Sequence, residues 1–462
     1  MPQRKDMSKI IKIKRGLDIK MRGEAMLTIE EVHPTSVAIQ PTDFIGVTPR
    51  LLVQEGASVE LGTPLFQDKH DERILFCSPV AGVVKEIRRG EKRRLEAVVV
   101  EPSLCADAST QEKFNFEAKP QTREEIIALM LANGLWPFVR QRPYSTIANP
   151  DQMPKAFWIS GFDTAPLAPN IDFIVEQAPQ SFQKGLDVLS ILSGGNVHLG
   201  IKSGEKGTQS TALLKAKNVE IHLFEGPHPV GNISTQINKI CPISKGEVIW
   251  YCSPQDVITI GHYFLTGELD FTRTYAFAGT SVIQPHYYRT CLGTSVGNIC
   301  NVTDHTRLIS GNVLTGKKVS ENDFIGFYDT MLTAIPEGDN RQEIFGWMWP
   351  GFKKLSFSRT YPSAFVPSFL KPRVELDTNM HGEERPYVMT GEFEKIFPFD
   401  IYPLQLIKAC IVEDIDLMEA LGIYEVDAED FALCEFIDTS KTNIQEIIRK
   451  GLELLRKENE GG

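Results

Sequence analysis

Apolar and polar positions along this chain recur with two different periods. From Ile10 to about Glu101, short runs of β type (VAIQ, RLLVQEGASVELGTPLF, RILFCSPVAGVVKEI, LEAVVVE) are separated by turn residues and predict an all-β module. Pro102 to about Arg123 is polar and predicts a linker ending at a helix start, where Thr122 and Glu125 have capping-box spacing and IIALMLANGLW supplies the apolar face. Residues 155–260 alternate strand candidates (KAFWISGF, NIDFIVEQ, NVHLGIK, NVEIHLF, GEVIWYC) with helical stretches (SFQKGLDVLSILSG, STALLKAK), the pattern of βαβ units around a mostly parallel sheet. Residues 262–335 turn strand-like and rich in Gly and Thr, which predicts a small α+β insert. The last ninety residues read as helical: Ile444, Ile447, Ile448, Leu452 and Leu455 fall on one face of a helix that Thr442 and Gln445 are spaced to cap.

Composition narrows the classes. Forty-nine Lys and Arg against 60 Asp and Glu give a net charge of −11, with no basic block, so the chain is not a nucleic-acid binder. No apolar run approaches the roughly 20 residues that span a bilayer. The basic start MPQRKDMSKIIKIKRG has no apolar core or cleavage site of a secretory signal, so the chain is expected to stay in the cytoplasm. Eight scattered Cys without a Cys-x-x-Cys read as buried, reduced thiols.

Within Val53–Ile87, turns at Gly56 and Gly62, a hairpin and Ser-Pro-Val-Ala-Gly describe two half-motifs folded over each other, with Gly56 and Gly82 expected at positive φ. The segment resembles the biotinyl/lipoyl carrier barrel-sandwich. In carriers of that kind the modified lysine lies at the hairpin tip in a Met-Lys-Met or Asp-Lys-Ala context. Here Lys69 stands in Gln-Asp-Lys-His-Asp, out of that context and offset from the second turn, and structural use of the barrel is the expectation.

A second cluster lies in Ile221–Gly231, IHLFEGPHPVG. His222 and Phe224, with His228 beyond them, could line a ligand pocket in which an imidazole N–H donates to a carbonyl oxygen, and the family resemblance set out below implies a quinone head group as that ligand. The turn Gly226–Gly231 with His228 is then a quinone or subunit contact; alternatively, Pro227 and Pro229 merely stiffen the exit from a strand. Trp347 and Trp349, in FGWMWP, are either an interface with a partner or locally buried. No catalytic residue and no metal ligand set is marked: Gly-x-Ser-x-Gly, His-Glu-x-x-His and the P-loop spacing are all missing, and Gly204–Thr208 reads as a solvated turn.

Taken with VAIQPTDFIGVTPRLLVQEGASVELGTPLF, the segments IHLFEGPHPVG, NISTQINKI and YCSPQDVITIGHYFLTGELDFTRTYAFAGTSV resemble, from about Ser8 to Glu458, the NqrA family, the A subunits of the Na⁺-translocating NADH:quinone reductases. The resemblance extends more distantly to RnfC and the flavin-carrying subunit of respiratory complex I. It implies a multidomain α+β protein: a biotinyl/lipoyl-like barrel-sandwich over 1–110, a Rossmann-like α/β domain without nucleotide fingerprint over 111–260, a ubiquitin-like SLBB-type domain over 261–335, and an aromatic-rich segment with a helical domain over 336–462. It implies a peripheral subunit on the cytoplasmic side of the bacterial inner membrane, in a six-subunit complex that oxidises NADH, reduces ubiquinone to ubiquinol and exports Na⁺. The integral-membrane B subunit of that complex is the implied contact, ubiquinone the implied ligand, and the semiquinone-to-quinol step the implied place of action, by quinone binding or by bracing the membrane subunits. FMN or FAD, riboflavin and Fe–S are implied on other subunits. The sequence departs from the relatives in two places. RnfC holds clusters with Cys-x-x-Cys-x-x-Cys runs, whereas only Cys410 and Cys434 stand in the C-terminal part here, which sets aside an RnfC-like electron carrier. The glycine-spaced flavin and NADH loop is replaced by Leu192-Ser-Gly-Gly-Asn196, which reads as a helix C-cap and turn.

Overall fold

The computed structural model describes residues 10–103, 122–204, 207–338, 355–357, 359, 361–366 and 373–460. Two N-terminal strands, β1 (Ile11–Lys12) and β2 (Met26–Glu31), precede a barrel-sandwich made of β3 (Val37–Ile39), β4 (Pro49–Leu51), β5 (Ser58–Val59), β6 (Pro64–Asp68), β7 (Leu75–Cys77), β8 (Gly82–Arg89) and β9 (Leu95–Pro102). Its sheets have the orders β3-β9-β8-β5 and β4-β6-β7. Between them lie Val59, Leu65, Val84, Val98 and Val100, with Phe66 stacked on Phe76 at 4.5 Å. Gly56 takes φ +81° as expected. Gly82 does not: it is extended in β8, and glycine is required there because a Cβ would lie 2.1 Å from the Glu101 carbonyl oxygen on β9. Lys69 is exposed, on a hairpin whose Arg73 pairs with Asp71 and with Asp151 of the next domain at 2.7 Å.

The α/β domain runs α1 (Arg123–Ala132), β10 (Arg140–Arg142), β11 (Thr146–Ile147), β12 (Ala156–Ser160), α2 (Ile171–Val175), α3 (Pro179–Leu192), β13 (Val197–Lys202), α4 (Thr211–Leu214), β14 (Glu220–Glu225), α5 (Ile233–Ile240), β15 (Ile249–Cys252) and α6 (Pro254–Thr266). The Thr122 and Glu125 capping box forms. NIDFIVEQ, a strand by its apolar run, is the helix α2, because Asn170 accepts from the Phe173 N–H and caps it. The four parallel strands take the order β14-β13-β12-β15, so the order of connection reverses at β12, and beyond β15 the strand β10 runs antiparallel to it and β11 antiparallel to β10. β1 departs from the barrel to run parallel with β14 on the opposite edge. Helices α3 and α6 cross on one face at near-backbone contact, since a Cβ on Gly261 would lie 1.8 Å from the Ser181 carbonyl oxygen. On the other face α5 covers Trp158, Phe224 and Tyr251.

The third domain contributes β16 (Thr272–Ala278), β17 (His286–Cys291), β18 (Thr306–Ser310), β19 (Lys317–Val319) and β20 (Met331–Pro336). Its sheet, β19-β18-β20-β16-β17, is completed by β2, parallel to β17. The C-terminal part is helical: α7 (Phe393–Ile396), α8 (Pro403–Ile411), α9 (Ile415–Ala420), α10 (Ala432–Ile437) and α11 (Ile444–Glu460). Ile444, Ile448, Leu452 and Leu455 of α11 are buried. The cap of α11 is supplied by a neighbour: Glu435 of α10 accepts from the Gln445 N–H at 2.8 Å. Seven of the eight cysteines are described, and all seven are free thiols.

Candidate functional site

Open α/β sheets bind ligands in the crevice at the carboxyl ends of their strands, where the strand order reverses. Here that region holds a polar cavity of about 180 Å³. Asp163 and Ala165 enter from the loop after β12, and His228, Gly231, Asn232 and Ile233 from the loop after β14. Arg140, Arg142 and Tyr251 come from β10 and β15, while the third domain (Asn312, Leu314, Thr315) and the helical domain (Asp427, Glu429) close it. It is therefore built from three parts of the chain.

Arg140 and Arg142 reach the same side because a strand presents every second residue to one face. Arg142 is buried and paired with Asp427, and with Glu429 at 2.6 Å. Burial alone would raise the Asp427 carboxyl, but Arg142 and Arg449 outweigh it and hold it below its ordinary range. The guanidinium of Arg140 lies 4.6 Å from the Tyr251 ring centroid and 4.0 Å from that of Tyr328. Among the described residues no acceptor satisfies its buried Nε.

His228 is 4% exposed. Its backbone N–H donates to Asp18 at 2.9 Å, and its Nδ1 lies 3.1 Å from Thr164 Oγ1. The Gly231 N–H donates to that same Oγ1, whose hydroxyl hydrogen can in turn be given to Nδ1; in that tautomer the imidazole proton is on Nε2. Burial pushes the imidazole down to about 4, so the ring is neutral near pH 7. Gly231 is glycine because a Cβ would lie 2.7 Å from the Thr164 N atom. Burial also raises the carboxyl of Asp163.

Of the sequence candidates, His228 and Gly231 line this cavity; His222, Phe224 and Gly226 do not. β14 ends at Glu225, so His228 is off the strand and does not share a pocket with His222. Phe224 is buried in the core beneath α5, and Gly226 packs against the chain just past β1, where a Cβ would lie 2.3 Å from the Ile13 carbonyl oxygen. His222 lies flat against Trp158 beside His198, and burial lowers the basicity of both imidazoles. Trp347 and Trp349 lie outside the described residues. Arg140, Arg142, Asp163, Tyr251 and Asp427 were not marked by sequence reading. The period-two Arg-x-Arg of RQRPY was the available signal for the first two.

The fold and cavity define a multidomain α+β protein: a barrel-sandwich hybrid joined to an α/β domain whose strand ends open onto a polar, interdomain site. Family models match three segments: the NqrA N-terminal barrel-sandwich hybrid domain over residues 11–103, the NqrA second alpha/beta domain over 121–269 and the NQRA C-terminal domain over 274–321. The A subunit of the Na(+)-translocating NADH-quinone reductase of Tolumonas auensis is 36% identical over 456 residues, covering 97% of this chain and 100% of the relative. The corresponding A subunits of Pasteurella multocida and Neisseria meningitidis are each 35% identical, with the same coverage. The chain belongs to the NqrA family, the A subunits of the Na⁺-translocating NADH-quinone reductases. Among the described residues no helix is long and apolar enough to cross a membrane.

Proposed function

We propose that this chain, as part of the Na⁺-translocating NADH-quinone reductase complex, acts on the quinone-reduction side, at the step from semiquinone to quinol, and that the interdomain cavity takes the quinone head group. The observation that carries this reading is the pairing in one cavity of an Arg140 Nε that has no acceptor among the described residues and a neutral His228 imidazole. A quinone ring offers two carbonyl oxygens, which gain negative charge on reduction. An N–H from His228 and the fixed charge of Arg140 answer both needs, and a buried cation strengthens as charge develops. In this reading the chain sits on the cytoplasmic face against the integral-membrane B subunit, and the flavins and Fe–S centre are on other subunits.

Titrating the purified chain with a short-chain ubiquinone, by calorimetry and with visible absorbance recorded on the same sample, tests this. Saturable micromolar binding is expected, weakened about tenfold by Arg140→Ala or His228→Ala, in line with the loss of one hydrogen bond to a charged or reacting group. No saturation in the wild-type chain, or equal affinity in both variants, overturns the cavity assignment. The chain would then serve by bracing membrane partners.

A further inference from the structure

On the sheet face beneath α5, the parallel register places Trp158 beside His198 and His198 beside Glu220, with His222 two residues further along β14. His198 Nδ1 and His222 Nε2 face each other at 2.8 Å, and Glu220 Oε2 lies 3.8 Å from His198 Nδ1. The three donor atoms fall within 4.8 Å of one another. The rings are held in place: both imidazoles lie against the Trp158 indole, at 5.0 and 5.5 Å with interplanar angles of 20° and 11°. The indole N–H in turn donates to Gln236 Oε1 at 2.9 Å. Gly200, opposite His222 in the register, makes room for Gln236, since a Cβ there would lie 2.1 Å from Oε1.

Two nitrogens so aimed can share one proton between them, or one cation. We propose that His198, His222 and Glu220 bind a divalent first-row transition ion, Zn²⁺ the best fitted, with a fourth position open to water. Two imidazoles and a carboxylate are a borderline donor set that suits Zn²⁺ and its neighbours, whereas Mg²⁺ and Ca²⁺ call for oxygen alone. Bonds of about 2.05 Å in tetrahedral geometry need the nitrogens roughly 3.3 Å apart, a small opening from the present separation. The Glu220 side chain is 69% exposed while both imidazoles are buried, so the third ligand reaches solvent and an ion would enter from its side. No local motif marks this site: His198 comes from one strand and the other two residues from its neighbour, joined by register alone.

The test uses the full chain, stripped with chelator and titrated with Zn²⁺ against a chromophoric competitor, then with Co²⁺ while visible spectra are recorded. One equivalent of Zn²⁺ is expected at micromolar affinity or tighter, and Co²⁺ should show low-coordinate d–d absorption without a thiolate charge-transfer band. Glu220→Gln, on an exposed side chain that leaves the fold intact, should weaken binding roughly tenfold or more, by analogy with the loss seen for supporting ligands. His198→Gln should abolish binding, with circular dichroism checking its fold. Absence of saturable binding, a thiolate band that places the ion on cysteine, or undiminished affinity in Glu220→Gln overturns the proposal.

Discussion

Thr164 Oγ1 stands 3.1 Å from His228 Nδ1 while accepting the Gly231 N–H, so one hydroxyl fixes both the imidazole and the turn that follows it. The loop after β12 thereby sets the geometry of the loop after β14. Cavity shape and ring orientation are consequences of the same contact.

The first expectation concerns acid. His228 titrates near 4 in the folded chain because it is buried, against an ordinary value of 6.5. Between these values the unfolded chain binds the proton and the folded chain does not, so stability is full above about 6.5 and falls as pH drops toward 4, by up to about 3 kcal/mol. His228→Gln should flatten that part of the curve. Urea unfolding followed by tryptophan emission at pH 7.5 and 5 measures it, with Trp136, Trp158 and Trp250 buried in the α/β domain as reporters.

Asp427 receives Arg142, Arg449 and the Ser145 hydroxyl, and ties the helical domain to the α/β sheet. Asp427→Asn leaves the buried Arg142 cation with Glu429 as its remaining carboxylate and removes the partner of Arg449, a loss of about 3 kcal/mol, the lower end of the range for breaking a buried pair. A lower urea midpoint is expected, together with faster proteolytic release of the helical domain.

At the crossing of α3 and α6 there is no room for a methyl group. Gly261→Ala should cost about 3 kcal/mol, the upper part of the overpacking range, although alanine is the better helix former. If the thermal midpoint rose instead, the close crossing would be wrong.

Thr122→Ala removes the side-chain acceptor at the start of α1 and should cost about 1 kcal/mol. Thr122→Ser should restore most of it, which denaturant titration of the three chains would show.

Local chemistry was legible in the sequence and long-range register was not. Thr122 with Glu125, Gly56 in its turn, and the α11 stripe are each specified within a few residues, and each stands as the spacing predicts. The family fold was legible too, from motifs along the whole chain. NIDFIVEQ misled because an apolar run of that length suits either element, and only Asn170 as a cap separates them. Gly82 misled because close approach to Glu101, rather than a turn, is what demands glycine. His198 beside His222 depends on which strands lie together and how far each is slid, and Arg142 against Asp427 on how the helical domain docks on the sheet. Nothing within either segment encodes that.

The two N-terminal strands that leave the barrel bear on how the chain is made. β1 emerges from the ribosome about 210 residues before its partner β14, and β2 still longer before β17. At about 5–20 residues per second, β1 waits roughly 10–40 s with neither edge paired. The barrel can close while synthesis continues, but β1 and β2 are sewn into two later sheets only once β14 and β17 have been made, at residues 225 and 291 of 462. These two strands are therefore locked by sheets made much later than themselves, and a bulky group placed just before β1 would burden that late docking rather than closure of the barrel.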